Sequence, residues 1–268
     1  MRYLGGKPRL AKHLAAAIAP RGRWWDPFCG GLSVSVQLAK FGPGLVSDIH
    51  PALIALYRAV REGWEPPASL SREEWGAARA LPDSDPRKAF AGFGCSFGGK
   101  WFGGYAAECG ERVMEKGPAR WLGACSIDQA RATRRGLLRD VAALERCELR
   151  RCSFFDVAPR RGLFEAIYCD PPYRGVTAYA LLEPFDHDRF WARCAEWAAV
   201  GARVFVSEYA CPLAGVDVAL ERRHRDRLRR ADGGQTLKIE RLYRIGADVE
   251  PANDNGRAPV ANDNGRRR

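Results

Sequence analysis

A short string of residues, Asp170-Pro171-Pro172-Tyr173, has the types and order that could do chemistry on an amino group. The two prolines fix φ at consecutive positions and remove two N–H donors. The carboxylate of Asp170 and the carbonyl of Pro171 therefore stand as acceptors in a rigid corner without donors. Such a corner can accept both hydrogens of an exocyclic amine, and the ring of Tyr173 supplies a flat face for the ring that bears it.

This string directly follows the apolar run that ends at Cys169, which predicts a central strand. Ligands of open parallel sheets bind beyond the carboxyl ends of the strands. Three further features fall at predicted strand ends: the turn at 26–31, Asp48, and Ser207-Glu208. A Gly-Gly turn lets a ligand approach the backbone, and an acidic residue after the next strand can accept ribose hydroxyls. A plain tight turn at Gly30-Gly31, with Asp48 capping the following helix, explains the same residues equally well.

The elements that must position these residues alternate between strand and helix at the start of the chain. The spacing predicts a helix over 10–18, a strand over 23–26, a helix from an N-cap at Ser33 to Lys40, a strand over 44–48 and a helix over 51–61. This order is typical of an α/β fold in which helices cover a parallel sheet.

The alternation stops at Gly63, and we expect an inserted, mainly helical subdomain up to about residue 150. It contains several prolines and a glycine-aromatic run from Ser96 to Tyr105. After it, the pattern predicts a strand over 164–170, a helix over 188–200 and a strand over 203–207. Strands over 216–221 and 237–244 would form a hairpin around a basic stretch. The tail, 249–268, repeats Ala-Asn-Asp-Asn-Gly and is predicted to be disordered.

The composition favours a polyanionic partner. The 268 residues carry 43 Lys+Arg against 32 Asp+Glu, a net charge of +11. The mean hydropathy is −0.34, and no apolar run approaches the roughly 20 residues that a membrane helix needs. Nine cysteines without a Cys-x-x-Cys pair predict reduced thiols rather than a zinc site or a disulfide framework.

Several motifs together resemble a known family. They are Tyr3-x-Gly5-Gly6-Lys7, Asp26-Pro27-Phe28-x-Gly30-Gly31, Asp48-x-His50, Asp170-Pro171-Pro172-Tyr173, and Gly233-Gly234 followed by Glu240-x-Leu242. In order and spacing they resemble the Dam-like DNA adenine-N6 methyltransferases, and in particular phage and prophage members of that family. The resemblance spans about Met1 to Arg244. It differs where the family has Gly-x-Gly in the turn after the first strand and Asn at position 50.

The resemblance implies a Rossmann-like S-adenosylmethionine-dependent methyltransferase fold with an inserted DNA-recognition subdomain. Residues 1–63 and 151–248 would form the catalytic domain and residues 64–150 the insert. The implied partner is double-stranded DNA, in which a flipped-out adenine is methylated. A place in a restriction-modification system is one setting for such an enzyme.

The resemblance also assigns roles to single residues. The residues that would contact S-adenosylmethionine are Tyr3, Gly6, Lys7, Asp26, Pro27, Phe28, Gly30, Asp48, Ile49 and Asp170. Asp48 would hold the ribose hydroxyls and Lys7 the cofactor carboxylate. The catalytic residues would be Asp170, Pro171, Pro172 and Tyr173, with Asp170 between the methyl donor and the target amine.

Two basic clusters, 112–151 and 222–241, each carry a net charge of +5. In the first, Arg131, Arg135 and Arg139 recur every four residues along one side of a predicted helix. We expect these three arginines to contact DNA phosphates. A solvated helix face is the alternative interpretation.

Two other functions fit the same motifs. One is an amino methyltransferase for cytosine-N4 in DNA or for a base in RNA, and the other is a DNA-binding relic of the fold without turnover. In each case the sequence predicts a cytoplasmic protein of a bacterial or phage-infected cell, without a metal ion, as a monomer or weak dimer.

Overall fold

The computed structural model describes residues 1–106, 129–174, 185–229 and 235–246, and within them the side chains of all but 224–229 and 235–238. The helices are α1 (Ala11–Ile18), α2 (Ser35–Leu38), α3 (Pro51–Arg61), α4 (Arg72–Ala77), α5 (Pro86–Ala89), α6 (Gln129–Ala142) and α7 (His187–Ala199). The strands are β1 (Trp24–Asp26), β2 (Gly44–Asp48), β3 (Glu148–Arg151), β4 (Ala166–Cys169), β5 (Arg203–Glu208), β6 (Asp217–Arg229) and β7 (Gln235–Ile245).

The seven strands of the described ranges form one sheet in the order β3-β2-β1-β4-β5-β7-β6. β2 pairs with β3, and β4 with β5, in parallel, whereas β7 is antiparallel to both β5 and β6. The predicted α/β class is therefore confirmed. The chain divides into a first unit, Met1–Pro20 with Trp25–Asp156, and a second unit, Arg21–Trp24 with the chain from Val157 onward.

In the first unit, the early helices and strands follow the predicted pattern closely. α1 buries Leu14 and Ile18, and α3 starts with Pro51 at its first turn, where the missing N–H costs nothing. β2 is buried along its whole length. β3 was not predicted, since it exposes most of its four residues and buries only Leu149.

The predicted N-cap at Ser33 is wrong. Leu32 has a φ of +65°, and its N–H donates to the carbonyl of Cys29 at 2.8 Å, so the chain is still turning at that point. α2 begins at Ser35, whose hydroxyl donates to Oδ2 of Asp26 at 2.6 Å, and a 3-10 turn over Ala39–Phe41 follows it.

The described part of the predicted insert is mainly helical. α4 begins with a capping box in which Ser71 and Glu74 each bond the other's backbone N–H. A π-helical segment, Phe90–Gly94, follows α5, and an isolated bridge between Ser96 and Tyr105 closes the glycine-aromatic run. The limits of this insert as a separate domain stay a prediction.

In the second unit, β4, α7 and β5 lie where the apolar pattern predicts them. The predicted hairpin is also present, but its strands are longer than expected. The basic residues 222–229, which the sequence predicts to lie between the strands, belong to β6. This strand pairs with β7 as far as Arg229 opposite Gln235, with a register shift between Arg225 and Arg229.

Some predictions fall on residues outside the described ranges: Gly233-Gly234 and the tail 249–268. Among the described residues, no helix is long and apolar enough to cross a membrane. The same residues hold no cluster of His, Cys, Asp and Glu suited to a metal ion.

Candidate active site

In the first unit, Asp26 holds together the turn that follows β1. Its carboxylate is buried and accepts hydrogen bonds from the backbone N–H of Phe28 at 3.3 Å and from the Ser35 hydroxyl at 2.6 Å. These bonds fix the turn against the start of α2. Contacts of Asp26, Pro27 and Phe28 with a cofactor stay predictions.

Asp48 ties the end of β2 to the glycine turn. Its Oδ2 accepts from the N–H of Gly30 at 3.0 Å and its Oδ1 from the N–H of His50 at 2.9 Å. Burial raises the pKa of Asp48 from 3.8 to about 6, against the effect of these backbone donors. A carboxylate has about four lone-pair positions, so Asp48 keeps capacity for a hydroxyl beside these backbone N–H groups. Ile49, the next residue, exposes 41% of its surface and offers an apolar face beside this carboxylate.

Gly30 and Gly31 allow the Tyr3 side chain to pack against the turn. A Cβ on Gly30 would lie 2.8 Å from Cε1 of Tyr3, and a Cβ on Gly31 would lie 2.7 Å from its Cβ. The Tyr57 hydroxyl also donates to the carbonyl of Gly30 at 2.5 Å. The glycines are therefore needed for the internal packing of this turn, whatever a ligand requires.

We expect Gly30→Ala to lower the free energy of unfolding by about 2 kcal/mol, because its φ of +42° is strained for alanine and the new Cβ meets the Tyr3 ring. Chemical denaturation measures this loss. The control is Gly76→Ala in α4, where nothing lies within 4 Å of the added Cβ. Alanine should raise stability there by up to about 1 kcal/mol. Equal effects of the two substitutions would contradict this account of the turn.

The segment Tyr3 to Lys7 leads into α1. The N–H of Gly6 donates to the carbonyl of Tyr3 at 3.0 Å, and the carbonyl of Lys7 accepts from the N–H of Ala11 at 2.9 Å. The ring of Tyr3 packs on Phe93 with centroids 4.9 Å apart. The structure thus brings Tyr3 to the glycine turn, whereas the cofactor contacts of Gly6 and Lys7 stay predictions.

His50 is a residue of this region that the sequence did not assign to the site. Its ring contacts Trp101 and Phe93, with centroids 4.5 and 5.0 Å away. Burial lowers the pKa of His50 to about 4, so the imidazole is neutral at pH 7. Among the described residues, its Nδ1 has no hydrogen-bond partner. His50 therefore connects the end of β2 to the glycine-aromatic run.

In the second unit, Asp170-Pro171-Pro172-Tyr173 directly follows β4. The Tyr173 hydroxyl donates to Oε1 of Glu240 at 2.7 Å, and its ring meets Tyr209 edge to face at 4.9 Å. Burial, together with the charges of Asp170 and Glu240, holds the pKa of Tyr173 well above its usual value. The tyrosine is therefore neutral and fixed in orientation.

Glu208 accepts a hydrogen bond from the backbone directly after Tyr173. It is 3% exposed, and its carboxylate accepts from the N–H of Arg174 at 3.3 Å and from the N–H of Tyr209 at 2.7 Å. The sequence indicates Glu208 as a candidate site residue, because it lies at the end of a predicted buried strand. The contacts of Glu240 and Tyr209 with Tyr173 carried no such signal, because they arise only from the pairing of β5 with β7.

The candidate DNA-contacting arginines lie on α6. Arg131 and Arg135 are exposed, and the opposite face buries Leu137 and Val141 as the pattern predicts. The side chain of Arg139 is 78% exposed and pairs with Asp140 at 2.7 Å. The face is basic and accessible, and its contact with DNA stays a prediction.

The strand order defines the class of protein. A sheet ordered 3-2-1-4-5-7-6, with an antiparallel hairpin at one edge, is the Rossmann-like fold of S-adenosylmethionine-dependent methyltransferases. Residues 3–74 match the model of the D12 class N6 adenine-specific DNA methyltransferases, which confirms the family resemblance over that part of the chain. A search of curated proteins found no match.

Solved structures that align with the chain do so at low identity. TrmN from Thermus thermophilus is 12% identical, with 89% of this chain and 49% of that chain covered and a TM-score of 0.35. Precorrin-6y C5,15-methyltransferase from Geobacter metallireducens GS-15 is 8% identical, with 89% and 88% covered and a TM-score of 0.35. A conserved hypothetical protein from Streptococcus pyogenes is 11% identical, with 83% and 85% covered and a TM-score of 0.33. This chain spans about half the length of TrmN. At these scores the alignments add no argument about function.

Proposed function

We propose that this chain transfers a methyl group from S-adenosylmethionine to N6 of an adenine in duplex DNA. The observation that carries the proposal is the rigid corner Asp170-Pro171-Pro172-Tyr173 at the end of β4, in a chain whose residues 3–74 match an adenine-specific DNA methyltransferase family. A location in the cytoplasm of a bacterial or phage-infected cell follows from such a substrate.

The first unit offers an acceptor and an apolar face that would suit the nucleoside part of this cofactor. Asp48 would hold the ribose hydroxyls with its remaining lone pairs, and the exposed face of Ile49 would cover the adenine ring. Lys7 would pair with the cofactor carboxylate. When bound, S-adenosylmethionine supplies an electrophilic methyl group on a sulfonium.

The second unit has the acceptors that the target amine needs. The lone pair of an adenine amine is delocalised into the ring, so the amine is a weak nucleophile. Hydrogen bonds from both amine hydrogens to the Asp170 carboxylate and the Pro171 carbonyl would favour a pyramidal nitrogen and localise that lone pair. The same acceptors would stabilise positive charge on the nitrogen as it develops, and a carboxylate oxygen of Asp170 can then take the surplus proton.

Because the target atom is inaccessible inside a duplex, the adenine must leave the stack, which costs a few kcal/mol. Aromatic contact with Tyr173, whose hydroxyl is fixed by Glu240, would offset part of this cost. In the first unit, residues 64–150 would form the DNA-recognition insert. Phe97 in this region is 66% exposed beside Gly98, which makes it available to contact bases.

Sequencing of the methylome of cells that express this protein tests the proposal, since it reports the modified base and its sequence context together. We expect N6-methyladenine at one short motif, absent from cells with an empty vector. N4-methylcytosine instead, or an unmodified genome, would contradict the proposal.

A triple alanine variant of Arg131, Arg135 and Arg139 tests the basic face of α6. Each lost phosphate contact lowers the slope of log Kobs against log salt concentration by about 0.9, so a slope smaller by roughly 2.7 is expected. Fluorescence anisotropy with a duplex oligonucleotide at several salt concentrations measures the slope.

A control with the same charge change replaces Lys12, Lys40 and Arg87, which are exposed on other elements of the first unit. The control should keep the wild-type slope. If the α6 variant also keeps it, these arginines do not contact DNA.

A further inference from the structure

The β6–β7 hairpin extends past the part of the sheet that supports it. β5 pairs with β7 only from Arg241 to Ile245, whereas β6 and β7 continue to pair from Arg222 opposite Glu240 to Arg229 opposite Gln235. Within the described residues, no third strand pairs with residues 222–229 and 235–240. We call these two segments the basic ribbon.

The basic ribbon is strongly charged on the strand that forms the edge of the sheet. Its residues 222–229 contain five arginines and one acidic residue, and both segments together carry a net charge of +4. β6 stands at the end of the strand order, so among the described strands one side of β6 has no neighbour. At the root of the ribbon, the end that joins the rest of the sheet, the side chain of Arg223 is 69% exposed. The sequence therefore concentrates positive charge on an extended strand at the edge of the sheet.

The dimensions of the basic ribbon suit duplex DNA. Its β7 side, residues 235–240, has six residues, which span roughly 20 Å at about 3.4 Å per residue. β6 covers the same length with eight residues, because the register of the pair shifts between Arg225 and Arg229. Phosphates along one strand of a duplex follow each other at about 3.4 Å along the axis, so an extended basic strand can meet several of them in turn. A two-stranded ribbon is also narrow enough for the major groove, which is about 12 Å wide.

Charges on an edge strand have another physical use, since they prevent edge-to-edge aggregation. A few charges of either sign serve that purpose. The ribbon instead has five charges of one sign on β6 and Lys238 on β7. This excess of one sign favours a polyanion as the partner.

We propose that the basic ribbon is a second DNA-binding surface, separate from the α6 face, and that it contacts the phosphate backbone of duplex DNA. The inference rests on the proposed function for its partner. The root of the ribbon also contacts the candidate catalytic corner, because Glu240, the first β7 residue beyond the pairing with β5, accepts the hydrogen bond of the Tyr173 hydroxyl. Glu240 therefore belongs to the DNA-binding ribbon and also fixes the hydroxyl of Tyr173.

The test removes three charges from the unsupported part of β6 in the full chain, with Arg225→Gln, Arg227→Gln and Arg229→Gln combined. Binding to a duplex of about 30 base pairs is measured at salt concentrations from about 0.05 to about 0.3 M. This range includes physiological salt, where phosphate contacts contribute strongly to affinity. The slope of log Kobs should fall by roughly 2.7, and affinity at 0.15 M salt should fall on the order of 100-fold.

The matched control replaces Arg160, Arg161 and Arg189 with Gln, which are exposed in the same unit outside the ribbon. It should bind as the wild type does. Thermal denaturation checks that both variants are folded. If the triple variant is unfolded, the single change Arg227→Gln should still lower the slope by about 0.9.

Unchanged affinity and slope in the ribbon variant would overturn the inference and leave edge protection as the role of these charges. A change seen only with a single-stranded RNA of equal length would also overturn it, because the partner would then be RNA. If the slope changes as expected but the wild-type protein methylates no DNA, the ribbon is supported and the proposed function fails.

Discussion

Asp170→Ala should reduce the rate of methyl transfer to adenine by about 10³-fold at saturating cofactor, while the protein stays folded and binds DNA. In the proposed mechanism, the substitution removes one of the two acceptors that would localise the amine lone pair, an effect of the size found for single groups that stabilise transition-state charge. Transfer of a radiolabelled methyl group to a duplex oligonucleotide measures the rate.

The control for this variant is Asp188→Ala. Asp188 is a carboxylate of the same unit whose side chain is 90% exposed and pairs with Arg174 at 2.6 Å. Its removal should leave turnover within a few-fold of the wild type. Turnover of the Asp170 variant within ten-fold of the wild type would refute the catalytic assignment.

Asp48→Ala should weaken the binding of S-adenosylmethionine by roughly 100-fold. Hydrogen bonds from two ribose hydroxyls to an ionised carboxylate contribute about 3 kcal/mol together. Isothermal titration calorimetry measures the dissociation constant. Because alanine also leaves the N–H groups of Gly30 and His50 without this partner, Asp48→Asn serves as a second variant of nearly equal shape.

The same residue predicts a pH dependence of cofactor affinity. Burial raises the pKa of Asp48 to about 6, so the carboxyl becomes protonated as the pH falls through that value. The protonated form accepts hydroxyl donors less well. Affinity should therefore be constant above about pH 7, fall below pH 6, and lose this dependence in the Asp48→Ala variant.

A dissociation constant that is equal at pH 5 and pH 7.5 in the wild type, or affinity near the wild type in both Asp48 variants, would contradict the role of Asp48. Glu62→Ala, at an exposed position after α3, should bind as the wild type does.

The sequence predicted those elements whose apolar residues recur with one clear period. α3 shows this well, since Pro51 marks its start and its buried residues follow helical spacing. Ser33 shows the limit, because an N-cap residue also suits a turn. With the positive φ of Leu32, the N-cap lies one residue later, at Val34. β3 was missed because its exposed charges leave only Leu149 as an apolar signal.

For a related reason, the sequence pattern predicts a loop for the basic residues of β6. Seven of the eight residues at 222–229 are polar, so they do not alternate between apolar and polar, and nothing in their pattern indicates pairing. The sequence also does not indicate which residues contact the candidate site in the folded protein. Glu240 lies 67 positions from Tyr173 in the chain, and only the register of β7 brings the two side chains within 2.7 Å.

Analysis of the methylated nucleoside shows directly whether the corner at Asp170 acts on an adenine amine. Purified protein is incubated with S-adenosylmethionine and unmethylated duplex DNA, and the DNA is then digested to nucleosides for mass spectrometry. The account predicts N6-methyldeoxyadenosine as the methylated nucleoside, formed by the wild-type protein and not by Asp170→Ala. Methylation of cytosine, or a methylated adenine formed equally by the Asp170 variant, would contradict it.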